Sequence, residues 1–245
     1  MAPPRPLSRG PGRRLYRALV RLSNALFGPD LSHRVPAVGA LLRAANRALG
    51  HLSPAHRRQR RFERRHPEAP WFVPESLAPI EDLLEADFVA FEWGAGRSTA
   101  WLAARTAHLT SVESDPEWAA QVARLITQKG LAAKVDLRLA PVASRHDFSA
   151  EERARYLAAI AGFPDHHLDL VVVDGLFRRA CLLAAAAKLR PGGILVLDNA
   201  DRPDLADLVA ALGPYRVGLY SNGIWETAIF RAPAPEGLPV LDSRA

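Results

Sequence analysis

The chain has one cysteine, one methionine and three lysines among its 245 residues, and no apolar run near the length that spans a bilayer. With Cys181 alone, no internal disulfide forms, and a reducing compartment, the cytoplasm, is the expected home. A spanning helix needs about 20 apolar residues and is excluded. The N-terminus has the positive charge of a secretory signal, but Arg17, Arg21, Ser23 and Asn24 interrupt its apolar stretch. Its Arg-rich, acid-poor composition is shared with organellar transit peptides. Wholesale disorder is excluded too, because 49% of the residues are hydrophobic and 24% charged, enough to bury a core.

The formal charge of +6 is unevenly placed. Residues 1–70 hold 15 Arg against Asp30, Glu63 and Glu68, a net of +12, whereas residues 71–245 carry a net of −6. We therefore read a basic, Arg-rich helical N-terminal extension (1–70), a folded domain (71–231) and a Pro-rich flexible tail (232–245). In the extension, Leu15, Leu19, Leu22 and Leu26 share one helical face, with Arg14, Arg17 and Arg21 opposite. A second amphipathic helix is expected from Pro36 to Gly50, and HRRQRRFERRH over 56–66 reads as a solvated helix face. Packing on a core or a second subunit is one use of such an arm. Peripheral contact with an anionic membrane through residues 12–66 is another, and nucleic acid is the least favoured. The oligomeric state is not legible.

From Asp87 onward short apolar runs alternate with helical segments, the pattern of βα units around a parallel sheet. Strands are predicted at 87–92, 109–113, 134–139, 168–173 and 193–198, and helices near 98–107, 116–129, 150–161, 177–189 and 203–212, with Arg190-Pro191-Gly192-Gly193 as the stop of the fourth helix. Runs at 215–220 and 225–231 are joined by four residues, too few for a crossover helix, so an antiparallel C-terminal hairpin is expected. The fold class is α/β: a Rossmann-like, seven-stranded, mostly parallel sheet with helices on both faces.

Phe91-Glu92-Trp93-Gly94-Ala95-Gly96-Arg97-Ser98-Thr99 lies where the first strand turns into its helix. Two glycines one residue apart let the backbone come close to a ligand, beside the unpaired N–H groups of a new helix. Turn geometry alone is the duller explanation. Glu113, 19 residues beyond Gly94 at the end of the second strand, stands where dinucleotide folds put a ribose-binding acid. A pyrophosphate site wants a third Gly where Thr99 stands, and Glu92 beside the loop suits an ammonium better than a phosphate. Asp174 after the fourth strand and Asp198-Asn199 after the fifth emerge at the sheet edge that binds ligands, and together make an all-oxygen set suited to Mg²⁺. Helix capping is their structural alternative.

Glu92-x-Gly94-x-Gly96-x-Ser98 followed by Glu113 resembles motifs I and II of class I S-adenosylmethionine-dependent methyltransferases, over roughly residues 71–231. The resemblance implies S-adenosylmethionine as methyl donor, with Gly94 and Gly96 along its methionine portion, Glu92 near its amino group and Glu113 on its ribose. Ala95, Ser98 and Ser114 complete the implied cofactor set. Asp174, Asp198 and Asn199 are similar to the metal site of catechol-type O-methyltransferases, where Mg²⁺ lies beneath two adjacent substrate hydroxyls. The family's Lys three residues on is Phe177 here, which leaves open a metal-bound hydroxyl that ionises unaided, Asp174 as the candidate base acting alone, or a site without metal. The acceptor implied is an oxygen, less readily a nitrogen, of a small or lipid-linked molecule. Asp174-Gly175-Leu176-Phe177 lacks the motif of base-modifying N-methyltransferases, which argues against nucleic acid. A nicotinamide-dependent oxidoreductase and a non-catalytic membrane-associated adaptor are the competing readings. His66, His146, His166 and His167 are spare proton carriers, and Trp71 is placed to cover a pocket.

Overall fold

The computed structural model of the chain describes residues 54–143, 147–234 and 238. The amphipathic helices expected within 11–50, His146, and nearly all of the tail after Pro233 lie outside the described residues. Residues 54–67 and 221–224 form one unit, and 68–220 with 225 onward form the other. The first unit holds α1 (Pro54–Arg65), in which Gln59 donates to Glu63 and accepts from Asn222 at 3.0 Å each. Among the described residues no helix is long and apolar enough to cross a membrane.

The second unit carries α2 (Pro74–Glu81), β1 (Val89–Trp93), α3 (Arg97–Ala103), β2 (His108–Glu113), α4 (Pro116–Gln128), β3 (Val135–Leu139), α5 (Ala150–Ala158), β4 (Leu168–Val173), α6 (Arg178–Lys188), β5 (Leu189–Asp198), α7 (Ala206–Ala211), β6 (Arg216–Ser221) and β7 (Glu226–Arg231). The sheet runs β3-β2-β1-β4-β5-β7-β6, parallel from β3 to β5, with β7 antiparallel to β5. This is the expected seven-stranded Rossmann-like architecture. Strand order reverses between β1 and β4, and in open α/β sheets ligands settle at the carboxyl edge of that switch point.

The central strands are apolar on both faces, as strands covered by helices on both sides must be. Phe91, Trp93, Val171, Val173, Leu195 and Leu197 pack in one buried cluster with Cys181, Leu182 and Tyr156, while Ala90, Leu170, Val172, Ile194 and Val196 pack in another with Ile80 and Leu102. The alternation follows from the two-residue period of a strand. It also puts Glu92 on the second face, beneath α3.

Three local expectations are corrected. Arg190-Pro191-Gly192-Gly193 does follow the end of α6, at Lys188, but β5 opens at Leu189 and not at 193, so these residues sit inside the strand, where the pairing with β4 shifts between Leu168 and Leu170. The bulge absorbs the turn-forming residues because Gly192 N–H reaches Ala232 and Gly193 accepts from Ala232, both at 2.9 Å, so the β7 edge holds the segment extended. The helix near 203–212 opens as a 3-10 turn, Pro203–Leu205, and becomes α-helical only at Ala206. Helix α2 was missed, since Pro79 inside it hides its period.

Thr227, fully buried on β7, ties three segments together. Its hydroxyl accepts from Val73 N–H at 3.0 Å and donates to Asp198 Oδ1 at 2.6 Å. Thr227→Val leaves a buried amide and a buried carboxylate oxygen without that partner and is expected to destabilise the fold by about 1–3 kcal/mol in urea unfolding. A variant as stable as the parent would show that the hydroxyl is replaceable by water.

Candidate active site

The loops after β1, β2, β4 and β5 enclose a cleft of about 900 Å³ at the carboxyl edge of the sheet. Its volume lies in the range of small-molecule sites. The floor is backbone. Gly94 has φ +96°, and a Cβ there would fall 2.7 Å from Gly175 N. A Cβ on Gly175 would fall 1.9 Å from Tyr156 Oη. The ends of β1 and β4 therefore touch through two residues that must lack side chains. Gly94 N–H also reaches Val112 O on β2 at 2.9 Å, which fixes the loop to both neighbours.

The loop is anchored from below. Gly96 N–H donates to Thr99 Oγ1 at 2.9 Å, and Thr99 Oγ1 donates to Glu92 Oε2 at 2.7 Å, where Ser111 Oγ donates as well at 2.7 Å. From above, Trp118 Nε1 donates to Ala95 O at 2.7 Å. Glu92 is wholly buried and does not line the cleft; its Oε2 reaches the loop through Thr99, whose hydroxyl holds the Gly96 amide. Burial pushes its pKa above the usual glutamate value, against the lowering effect of the Ser98, Thr99 and Ser111 hydroxyls.

Glu113 closes β2 and lines the cleft with 7% of its surface exposed. Ser114 N–H (2.6 Å), Ser114 Oγ (3.1 Å) and Asp115 N–H (2.8 Å) all donate to its Oε1, and none of them to Oε2. One oxygen thus fixes the carboxylate and the other is left for a ligand. Burial raises this pKa too, again opposed by those donors. Asp115 caps α4, accepting from Glu117 and Trp118 amides at 2.8 and 3.0 Å, which places Trp118 against the loop. Trp71 lines the cleft, half exposed, stacked 6.1 Å from Trp118 with the Arg97 guanidinium 5.2 Å above its ring.

The structure brings Asp174, Asp198 and Asn199 together, but around an arginine. Arg178 Nη2 donates to Asp174 Oδ1 and Nη1 to Asn199 Oδ1, at 2.5 Å each, and Nη2 also bonds the Asp174 carbonyl. Asp174 and Asn199 line the cleft; Asp198 lies behind them, held by Thr227. Burial and the Asp198 carboxylate push the Asp174 pKa well above the usual aspartate range, against Arg178. Among the described residues no group of three or more His, Cys, Asp or Glu is placed to hold a metal ion. With the Asp174 and Asn199 oxygens engaged by a guanidinium, the set as arranged does not fit Mg²⁺.

Phe177 and Asn199 have left-handed backbones, φ 50° and 53°, which non-glycine residues rarely adopt outside constrained sites. Phe177 stands where the resemblance would put a lysine, and instead meets Phe148 (4.6 Å), Tyr156 (5.7 Å) and the Arg153 guanidinium (5.9 Å). His66, His166 and His167 do not line the cleft. Sequence reading missed Gly175, Tyr156, Trp118 and Arg178. Only Arg178 had a signal, one position past the missing lysine.

Residues 91–200 match the profile of a family described as "Methyltransferase domain". The chain is similar to a methyltransferase-like protein from Silicibacter pomeroyi (23% identity, 69% of this chain and 91% of that one, TM-score 0.49). It is similar to a SAM-dependent O-methyltransferase from Thermotoga maritima (13% identity, 71% of each, TM-score 0.48). It also resembles a SAM-dependent methyltransferase from Thiobacillus denitrificans, solved with S-adenosyl-L-homocysteine (20% identity, 52% of this chain, TM-score 0.37), of whose length it spans 48%. No curated protein matches the chain.

Because Glu92 is raised by burial, ionising it opposes folding. That stabilising share is complete below the ordinary glutamate pKa and is lost as pH rises through the native value. As pH rises above the ordinary glutamate range the parent should lose stability in denaturant titrations, and Glu92→Gln should lose less. Equal slopes for both would mean that Glu92 ionises normally.

Proposed function

We propose, from a chain whose residues 91–200 carry a methyltransferase domain on the Rossmann-like sheet of class I S-adenosylmethionine-dependent enzymes, that it moves a methyl group to an oxygen of a small or lipid-linked acceptor. The observation that carries the reading is Glu113: a carboxylate at the end of β2, one oxygen saturated by its own loop, the other free in the cleft, beside a glycine loop with no third glycine for a pyrophosphate.

In this reading Glu113 Oε2 accepts from the ribose hydroxyls, at roughly 1.5–3 kcal/mol for each bond to a charged acceptor. The Gly94–Gly96 backbone, with Ala95, Ser98 and Ser114 at its sides, runs along the methionine portion. Glu92 holds that backbone through Thr99. Bound S-adenosylmethionine supplies a sulfonium methyl open to in-line displacement. Asp174, at the cleft wall against Gly94, takes the proton of the acceptor hydroxyl as the new O–C bond forms and the S–C bond breaks. Phe148, Phe177 and Tyr156 make an aromatic wall that excludes water and accepts an apolar part of the acceptor. A lipid-linked acceptor is suggested by the net charge of +12 in residues 1–70, suited to an anionic membrane surface.

Glu113→Ala should weaken S-adenosylhomocysteine binding by about tenfold or more in calorimetry, and the parent should be stabilised thermally by S-adenosylhomocysteine and not by NAD. Unchanged affinity would remove Glu113 from the site. Stabilisation by NAD alone would overturn the reading in favour of an oxidoreductase.

A further inference from the structure

The oxygen set at the ends of β4 and β5 is assembled on a charge that the chain supplies itself. Arg178 is 9% exposed, sits in the first turn of α6, and bridges Asp174 to Asn199 with one bond of 2.5 Å to each. Its position follows from two constrained backbones. Phe177 in the left-handed region turns the chain into α6 one residue before Arg178, and Asn199 in the same region turns its amide oxygen toward the guanidinium. Arg178 and Asp174 lie at the two ends of the short turn between β4 and α6, where they form an ion pair. A guanidinium forks between two acceptors and stays charged, which an ammonium on a flexible stem does less well.

We propose that Arg178 is a resident cation standing where related sites hold a divalent ion, so that transfer in this protein is independent of metal and the acceptor is placed by side chains instead of by chelation. The proposal rests on the methyl-transfer reading for its acceptor but not for its cation. A metal beneath two neighbouring hydroxyls selects vicinal diols. A fixed guanidinium in the cleft wall makes no such demand, and favours an acceptor with a single hydroxyl whose oxygen gains negative charge as its proton leaves. The neighbouring surfaces agree. Phe177, at the position of the missing lysine, and Phe148 offer an apolar face, and Arg153 lies over Phe177.

The test is manganese binding followed by electron paramagnetic resonance on the full chain after chelator treatment, with Mn²⁺ alone as probe. The parent and Arg178→Lys, which both keep a cation in place, are expected to show no stoichiometric site. Arg178→Ala is expected to gain one Mn²⁺ per chain, lost again in Arg178→Ala with Asp198→Ala. One tight Mn²⁺ in the parent would overturn the proposal, whether or not the alanine variant folds. So would a folded Arg178→Ala, judged by a cooperative thermal transition, that gains no ion. Calorimetry of S-adenosylhomocysteine on the parent in excess chelator separates the two readings. Binding there with no manganese site supports both; no binding there sinks the methyl-transfer reading and leaves the cation assignment to the manganese result.

Discussion

The contact between Gly94 and Gly175 is the constraint on which the cleft depends. Parallel strands lie about 4.7–4.9 Å apart, and side chains normally fill the space where their ends splay into loops. Here a Cβ on either residue would collide with the other's backbone, so the loops after β1 and β4 begin in contact and open only beyond that point. The floor is peptide groups, which present hydrogen-bonding atoms with no side chain to reorganise. Whatever binds must meet N–H and C=O groups at the bottom and side chains from β2, β5 and α6 at the rim.

Charge is then distributed by burial. Glu92 below the loop is shielded from the cleft and spends its carboxylate on Thr99 and Ser111, so it stiffens the loop without facing a ligand. Glu113 is shielded on one oxygen only. Asp174 and Asn199 meet a guanidinium. A polar ligand entering this cleft thus meets the partly free carboxylate of Glu113 on the β2 side and the fixed guanidinium of Arg178 on the β5 side. That asymmetry suits a molecule with hydroxyls to donate at one end and an oxygen gathering negative charge at the other.

Much of this was legible in the residues. The strand runs declared themselves because a parallel sheet covered on both faces needs continuous apolar stretches, and LDLVVV and GILVLD are such stretches. Gly94, Gly96 and Glu113 were legible as cleft residues because a turn from strand to helix and a strand end at the carboxyl edge restrict residue type and spacing, and all three line the cleft. What failed was tertiary in origin. Pro191, Gly192 and Gly193 follow the helix stop as read, but β7, more than thirty residues away in sequence, holds them extended, so the strand opens at Leu189 and not at 193. Glu92 lies on a buried face of β1, a placement that its position in the motif does not show. Asp174, Asp198 and Asn199 read as a metal site because Arg178, which holds Asp174 and Asn199, looks like any other residue in a chain with 29 arginines, and Thr227, which holds Asp198, comes from β7. Gly175 passed unnoticed since its requirement comes from Tyr156, on α5.

The central claim is that this cleft grips a phosphate-free nucleoside by its sugar through Glu113. A crystal structure of the full chain grown with S-adenosylhomocysteine tests it most directly. The account predicts both ribose hydroxyls on Glu113 Oε2 and the amino acid end over the Gly94–Gly96 backbone. A nucleoside bound elsewhere, or one in the cleft whose ribose ignores Glu113, would contradict it.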